Sequence, residues 1–225
     1  MAIPQDAYGG STRRTRGKSA GAAILPPGPR FDVVAIGASA GGFGALAEVL
    51  RQFKGDLPAS VLVVQHLDRK HKSIIAELLS RKTAIPVKLA EHGERMLPGM
   101  VYIAPPDEHL LAGPGKLQLA HSQLVNFLRP SIDLLFESVA GTYGSHCIGV
   151  VLSGTGKDGS AGIRAIKQAG GVTLAQDPAG AEFSSMPNAA VATGCVDLIL
   201  PLQELGPRLS RLCDGTVLNE RQRIH

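Results

Sequence analysis

Ser39 lies in Gly37-Ala38-Ser39-Ala40-Gly41, and its surroundings suit a nucleophile. A G-x-S-x-G sequence carries chemistry when it joins a strand to a helix, because the sharp turn lifts the hydroxyl clear of the sheet. The same turn leaves the first N–H groups of the helix unpaired and facing whatever the serine attacks. A serine is a weak nucleophile until an imidazole takes its proton, and the imidazole needs a carboxylate to fix its tautomer and balance its charge. His66 follows the apolar run SVLVVQ, and Asp158 comes a few residues after CIGVVL. If the three strands are neighbours, Ser39, His66 and Asp158 meet in one crevice at the carboxyl edge of the sheet. Each residue has a second reading: Ser39 as a helix cap, His66 bonded to a carbonyl, and Asp158 holding an Asp-Gly turn. The order Ser…His…Asp argues against the ordinary α/β-hydrolases, which run Ser…Asp…His.

These residues need elements to hold them. Phe31 opens a regular alternation, with a strand at 32–37 and a helix near 41–53. A β-branched strand at 60–65 and a helix near 72–81 follow, then short strands at 87–90 and 101–104. Leu110–Ala112 and Leu117–Leu119, joined by Gly-Pro-Gly-Lys, predict a hairpin. Pro130 stands at the start of a helix that ends near Gly141 or Gly144. A strand at 147–152, a helix at 162–170, a strand at 171–176, a short helix at 186–194, a strand at 196–200 and a helix at 204–213 complete the chain. Strands alternating with helices predict an α/β fold with a doubly wound, mostly parallel sheet in three Rossmann-like layers. The 85–120 region is expected to be an antiparallel hairpin insertion.

Composition narrows the function classes. A hydrophobic content of 44%, 27 glycines and 19% charged residues suit a compact α/β core. No apolar run approaches the ~18 residues of a membrane helix, so direct membrane insertion is not expected. The net charge of +4 is concentrated in residues 1–30, where Arg13, Arg14, Arg16, Lys18 and Arg30 face Asp6. Residues 31–225 carry 18 basic and 18 acidic side chains, so the body lacks the electrostatic footprint of a nucleic-acid binder. Residues 1–29 read as a disordered basic tail and 216–225 as a C-terminal tail, around a catalytic domain at 30–215. Cys147, Cys195 and Cys213, without metal spacing, read as reduced thiols of a cytoplasmic protein. His71, His92, His109, His121, His146 and His225 read as solvated, with His92 and His109 flanking the insertion. Neither a metal nor a cofactor is expected: the glycines at 37, 41 and 42 lack the G-x-G-x-x-G spacing, and Gly154–Lys157 lacks that of a Walker A loop.

Taken together, IGASAGG, VVQH, GERMLPGMVYIAPPDEHL, RPSIDLLFESVA, LSGTGKDGSAGIRAIKQAGGVTLAQDP and SMPNAAVATGCVD resemble the catalytic domain of the CheB-type chemotaxis protein-glutamate methylesterases. The resemblance runs in order over about residues 31 to 210. It implies a doubly wound α/β fold with a small hairpin, a triad of Ser39, His66 and Asp158, and hydrolysis of γ-glutamyl methyl esters on the cytoplasmic helices of chemoreceptors. It also implies a related deamidation of receptor glutamines. The oxyanion is expected at main-chain N–H groups of Ala40, Thr155 and Gly156. Family members often carry Thr where this chain has Ala40, and Met where it has Thr155. They usually also carry an N-terminal receiver domain, which thirty residues are too few to encode, so a stand-alone catalytic domain is expected. Two alternatives accompany this reading: a methylated partner outside chemotaxis, and a non-catalytic partner-binding domain. Oligomeric state is left open.

Overall fold

The computed structural model describes residues 31–66, 74–125 and 128–215. The two expected tails and the first residues of the helix expected at 72–81 lie outside them.

Strand β1 (Val33–Ala38) is buried along its whole length and pairs in parallel with β2 (Ser60–Gln65) on one side and β7 (Cys147–Val151) on the other. Outward from β2 come β4 (Val101–Ile103) and then β3 (Val87–Leu89). Outward from β7 come β8 (Val172–Gln176) and β9 (Leu198–Leu200). The sheet order is therefore β3-β4-β2-β1-β7-β8-β9, parallel throughout. The chain winds outward from β1 in one direction and then, through β7, in the other. That reversal places the switch point, and the crevice it opens, between β1 and β7.

Successive side chains of a strand point to opposite faces, and here both faces are apolar. Val34, Ile36, Val61, Val63, Ile148 and Val150 belong to one core. Helices α1 (Gly42–Arg51), α2 (Ile75–Ser80) and α6 (Leu202–Cys213) close it with Leu46, Val49, Leu79, Leu205 and Leu209. Val33, Ala35, Leu62, Val64 and Val151 face the other core. Helices α3 (Ile132–Tyr143), α4 (Ser160–Gln168) and α5 (Ser185–Val191) cover that side, together with the antiparallel hairpin β5 (His109–Gly113) and β6 (Lys116–Ala120). Burying each of these large aliphatic side chains contributes about 1.5–3 kcal/mol. The second face packs closely because glycines meet it. A Cβ on Gly37 would collide with Ile132, one on Gly149 with Ile166, and one on Gly162 with Phe136. Helices α3 and α4 thus lie hard against the sheet and each other, with their N-termini side by side.

The three-layer parallel fold and the hairpin are as expected from the sequence. The antiparallel region is smaller than expected: β3 and β4 are parallel members of the main sheet, and among the described strands β5 and β6 alone pair antiparallel, extended by a single bridge from Arg95 to Lys116. Each of β3 and β4 is a three-residue strand, too short for its alternation to reveal a direction, and the connection between them turns through Gly93 and Gly99, both at positive φ.

Candidate active site

The turn that carries Ser39 is held by main chain and by neighbouring loops. After β1 the backbone reaches Gly41, whose φ of 70° is left-handed, and α1 starts at the next residue. A side chain at Gly41 would be strained and would also press on the Glu182 carboxylate, the Ser153 hydroxyl and the Phe183 ring. The Ser39 N–H donates to the Ser153 carbonyl at 3.0 Å, and the Ser39 carbonyl accepts from the Gly42 N–H at 2.8 Å. The Gln65 side-chain amide donates to the carbonyls of Ser39 at 2.6 Å and His66 at 3.0 Å, tying together the ends of β1 and β2. The Ser153 hydroxyl donates to the Ala40 carbonyl at 2.9 Å and accepts from the Phe183 N–H, tying in the end of β7. Ser39 is not a helix cap: Gly41 holds that position, with no side-chain capping bond. The hydroxyl is half-buried and makes no hydrogen bond among the described residues.

His66 enters from β2. Its N–H donates to the Ala38 carbonyl at 3.0 Å, and ring Nε2 lies 2.9 Å from Asp158 Oδ2. The ring is 11% exposed and the carboxylate 1%, so the pair is shielded from solvent. Its second partner is a carboxylate rather than a carbonyl. With Nε2–H directed at Asp158, the Nδ1 lone pair is available as a base.

Asp158 accepts from four donors. Oδ1 takes the Ser131 hydroxyl at 3.1 Å and the Asp133 N–H at 3.0 Å, and Oδ2 takes the Ile132 N–H at 2.7 Å besides His66. The carboxylate therefore closes the N-terminus of α3, where unpaired amides and the helix dipole favour negative charge. Burial alone would raise its pKa, but the hydrogen bonds from His66 and the Ile132 and Asp133 amides together hold it below the ordinary carboxylate value. Asp133, in the first turn of α3, accepts in turn from the Gly159 and Gly162 N–H groups at the start of α4, both at 2.8 Å. Burial first, and then the neighbouring Asp158 charge, push its carboxyl up to about 6.

The expected oxyanion donors lie on two sides of the serine. Ala40 is the residue after it, in the turn. Thr155 and Gly156 stand exposed in the loop after β7, which carries on to Asp158. The Gly154 N–H is committed to the Phe183 carbonyl at 2.9 Å. A Cβ on Gly154 would collide with the Met186 sulfur and lie 2.8 Å from Ser39 Cβ, so this loop rests on Ser39.

The structure thus pairs His66 with Asp158 and sets Ser39 on the same rim, at the end of the strand between theirs. Sequence reasoning missed Gln65, Ser131, Asp133 and Ser153; a Ser-x-Asp pair just after Pro130 was the available sign of a capped helix start. His109 is a correction. It is fully buried, with ring Nδ1 accepting from the Ser131 N–H at 3.2 Å and Nε2 bonded to the Gln123 carbonyl. On β5 it alternates with the core residues Leu110 and Ala112, and its ring is held instead by the backbone of Ser131 and Gln123, which strand period does not reveal. His92 stays exposed, bonded to the Leu119 backbone. His71 and His225 lie outside the described residues. No group of three or more His, Cys, Asp or Glu that could hold a metal ion occurs among the described residues. Nor is any helix among them long and apolar enough to cross a membrane. A cavity of about 360 Å³ lined by Gln52, Lys54, Asp56, Leu57, Pro207, Ser210, Arg211 and Asp214 contains none of the site residues.

Comparison with known proteins bears on this arrangement. The family model described as CheB methylesterase matches residues 34–209. The chain is 45% identical over 182 residues to protein-glutamate methylesterase/protein-glutamine glutaminase 2 of Anaeromyxobacter dehalogenans, covering 81% of this chain and 53% of that protein. It is 40% identical over 202 residues to protein-glutamate methylesterase FrzG of Myxococcus xanthus, covering 89% and 60%. It superposes on the crystal structure of the Thermotoga maritima CheB methylesterase catalytic domain with a TM-score of 0.77 and 35% identity, covering 81% of this chain and 98% of that one. The chain spans 53% and 60% of the lengths of these two curated relatives.

Proposed function

We propose that this chain, which belongs to the CheB methylesterase family, is a serine hydrolase that removes methyl groups from γ-glutamyl methyl esters of chemoreceptor proteins. The observation that carries this reading is the 2.9 Å contact between His66 Nε2 and Asp158 Oδ2, beside the unengaged Ser39 hydroxyl. In the proposed mechanism His66 Nδ1 takes the Ser39 proton as Oγ bonds to the ester carbonyl carbon. The oxyanion is met by main-chain N–H groups at Ala40 and at Thr155 and Gly156. The bond to the methoxy oxygen then breaks, and His66 returns the proton to the departing methanol. Water, deprotonated by the same nitrogen, cleaves the acyl-enzyme and leaves glutamate. Asp158 keeps Nε2 protonated and offsets the imidazolium charge as it forms.

The same steps act on a primary amide, with ammonia leaving in place of methanol. The Anaeromyxobacter relative's name includes protein-glutamine glutaminase, and we extend that activity to receptor glutamines here. The half-buried serine on an open rim suits a methylated side chain presented by a receptor helix. The proposed setting is the cytoplasm, within chemotactic signal transduction, with no metal, nucleic acid or membrane insertion required.

The test is methanol release from methyl-esterified receptor cytoplasmic fragments by the wild-type chain and by Ser39→Ala. Release that disappears in the variant supports the reading. No release by the wild type, or undiminished release by the variant, refutes it. Release from another methylated helical protein but not from receptor fragments would move the substrate outside chemotaxis while keeping the chemistry.

A further inference from the structure

We propose that Asp133 is a positioning residue for the triad: by capping α4 while Asp158 caps α3, it fixes the loop that carries Asp158 and adds a second negative charge behind the Asp158–His66 pair. The inference rests on the esterase reading for its catalytic consequence, but not for its geometry.

The two helices exchange caps. Their close approach, enforced by Gly162 against Phe136, brings both N-termini to one place. Asp158, from the turn before α4, takes the Ser131 hydroxyl and the Ile132 and Asp133 amides of α3. Asp133, from the first turn of α3, takes the Gly159 and Gly162 amides of α4. Gly159 is the residue after Asp158 and has a φ of 99°, which glycine adopts without strain. Its N–H, held by Asp133, fixes the turn at the residue adjoining the one that orients His66. A shift of this turn would move Asp158 Oδ2 relative to the ring, and misplacements of about 1 Å are costly in rate.

Capping alone does not require a second acid. Asn and Ser cap as well as Asp, and two neighbouring buried carboxylates repel each other. The excess charge has its consequence at the ring. Asp158 is the charged group facing Asp133, from the turn before α4; His66, after β2, bonds Asp158, and His109 on β5 bonds the Ser131 N–H and the Gln123 carbonyl. The hydrogen-bond partners of the Asp133 carboxylate are the neutral Gly159 and Gly162 main-chain amides. Burial and Asp158 raise the Asp133 carboxyl to about 6, so it is ionised at neutral pH and above. Two neighbouring carboxylates then favour the imidazolium that forms in the transition state.

The experiment compares wild type, Asp133→Asn and Asp133→Ala. The His66 ring is titrated by NMR, with the three forms also built on Ser39→Ala so that the readout needs no turnover. Asp133→Asn keeps an oxygen for the two amides and removes the charge. It is expected to lower the ring's titration midpoint by about 0.5–1 pH unit, the effect of one nearby charge in a partly screened interior. The acid limb of kcat/KM should move down with it. Asp133→Ala also removes the cap, and its kcat should fall ~10–100-fold with little change in KM. On the alkaline side Asp133→Asn should recover most of that loss. A ring midpoint and acid limb in Asp133→Asn equal to wild type would overturn the proposal, whether or not Asp133→Ala folds. If the wild type releases no methanol, the esterase reading fails, and the ring titration still decides this one.

Discussion

Replacing Asp158 by Asn should damage both catalysis and folding, because each carboxylate oxygen faces two donors. Oδ1 is met by the Ser131 hydroxyl and the Asp133 N–H, and Oδ2 by the Ile132 N–H and His66 Nε2. An amide has one oxygen. With its NH₂ on the Oδ2 side it faces the Ile132 N–H, donor against donor, and His66 must turn an Nε2 lone pair toward it. The ring proton then sits on Nδ1, where Ser39 needs a base. With its NH₂ on the other side it faces the Asp133 N–H; the tautomer is kept, but no charge balances the imidazolium. Either way one buried N–H loses its partner, at about 1–3 kcal/mol. The loss in kcat should be ~10³–10⁴-fold, which is ~4–5.5 kcal/mol of barrier. KM should change little, because the buried carboxylate does not face substrate. Methanol release gives kcat, and urea unfolding at constant m gives the stability change. A variant that keeps more than a tenth of wild-type kcat, or the wild-type urea midpoint, would refute this account of Asp158.

Gly154→Ala should push the Met186 sulfur and Ser39 apart and lower kcat ~10–100-fold; a rate within twofold of wild type would contradict the contact. Gln65→Leu leaves the Ser39 and His66 carbonyls without their donor, and should cost about 1–3 kcal/mol in urea unfolding with a ~10-fold fall in kcat. Acid should act oppositely on the two aspartates. Asp158, held low, contributes stability above the ordinary carboxylate range and loses it as pH falls through its depressed value. Asp133 rises from 3.8 to about 6 on folding, so its favourable contribution is complete below 3.8 and is lost as pH climbs past 6. Asp133→Asn should therefore gain about 1–2 kcal/mol relative to wild type between pH 4 and pH 8, the full shift being reduced for solvent screening. Urea midpoints at the two pH values check this, and an unchanged difference would contradict it.

The sheet and the Ser39, His66 and Asp158 positions could be read in advance because each rests on local order. An apolar run followed by a lone polar residue marks a strand end, and a parallel sheet gathers such ends along one edge. The supporting residues could not be read that way. Asp133 and Ser131 matter because α3 and α4 touch, and Gln65 because β1 and β2 are adjacent; neither fact is local. Nor was His109, whose ring is held by the Ser131 and Gln123 backbone, distant in sequence, rather than by its neighbours. The directions of β3 and β4 were lost for want of length, with three residues each between prolines and glycines.

The bonds that shape the Ser39 turn run through the main chain, Gln65 and Ser153, and among the described residues none uses the Ser39 hydroxyl. Chemistry and architecture are thus inherited separately at this position. On the proposed mechanism, one codon change there should yield a well-folded, inert copy able to occupy a substrate and shield it, whereas a change at Asp158 should loosen the junction of two helices. Silent paralogues of this fold should accordingly differ first at the serine and keep the aspartate.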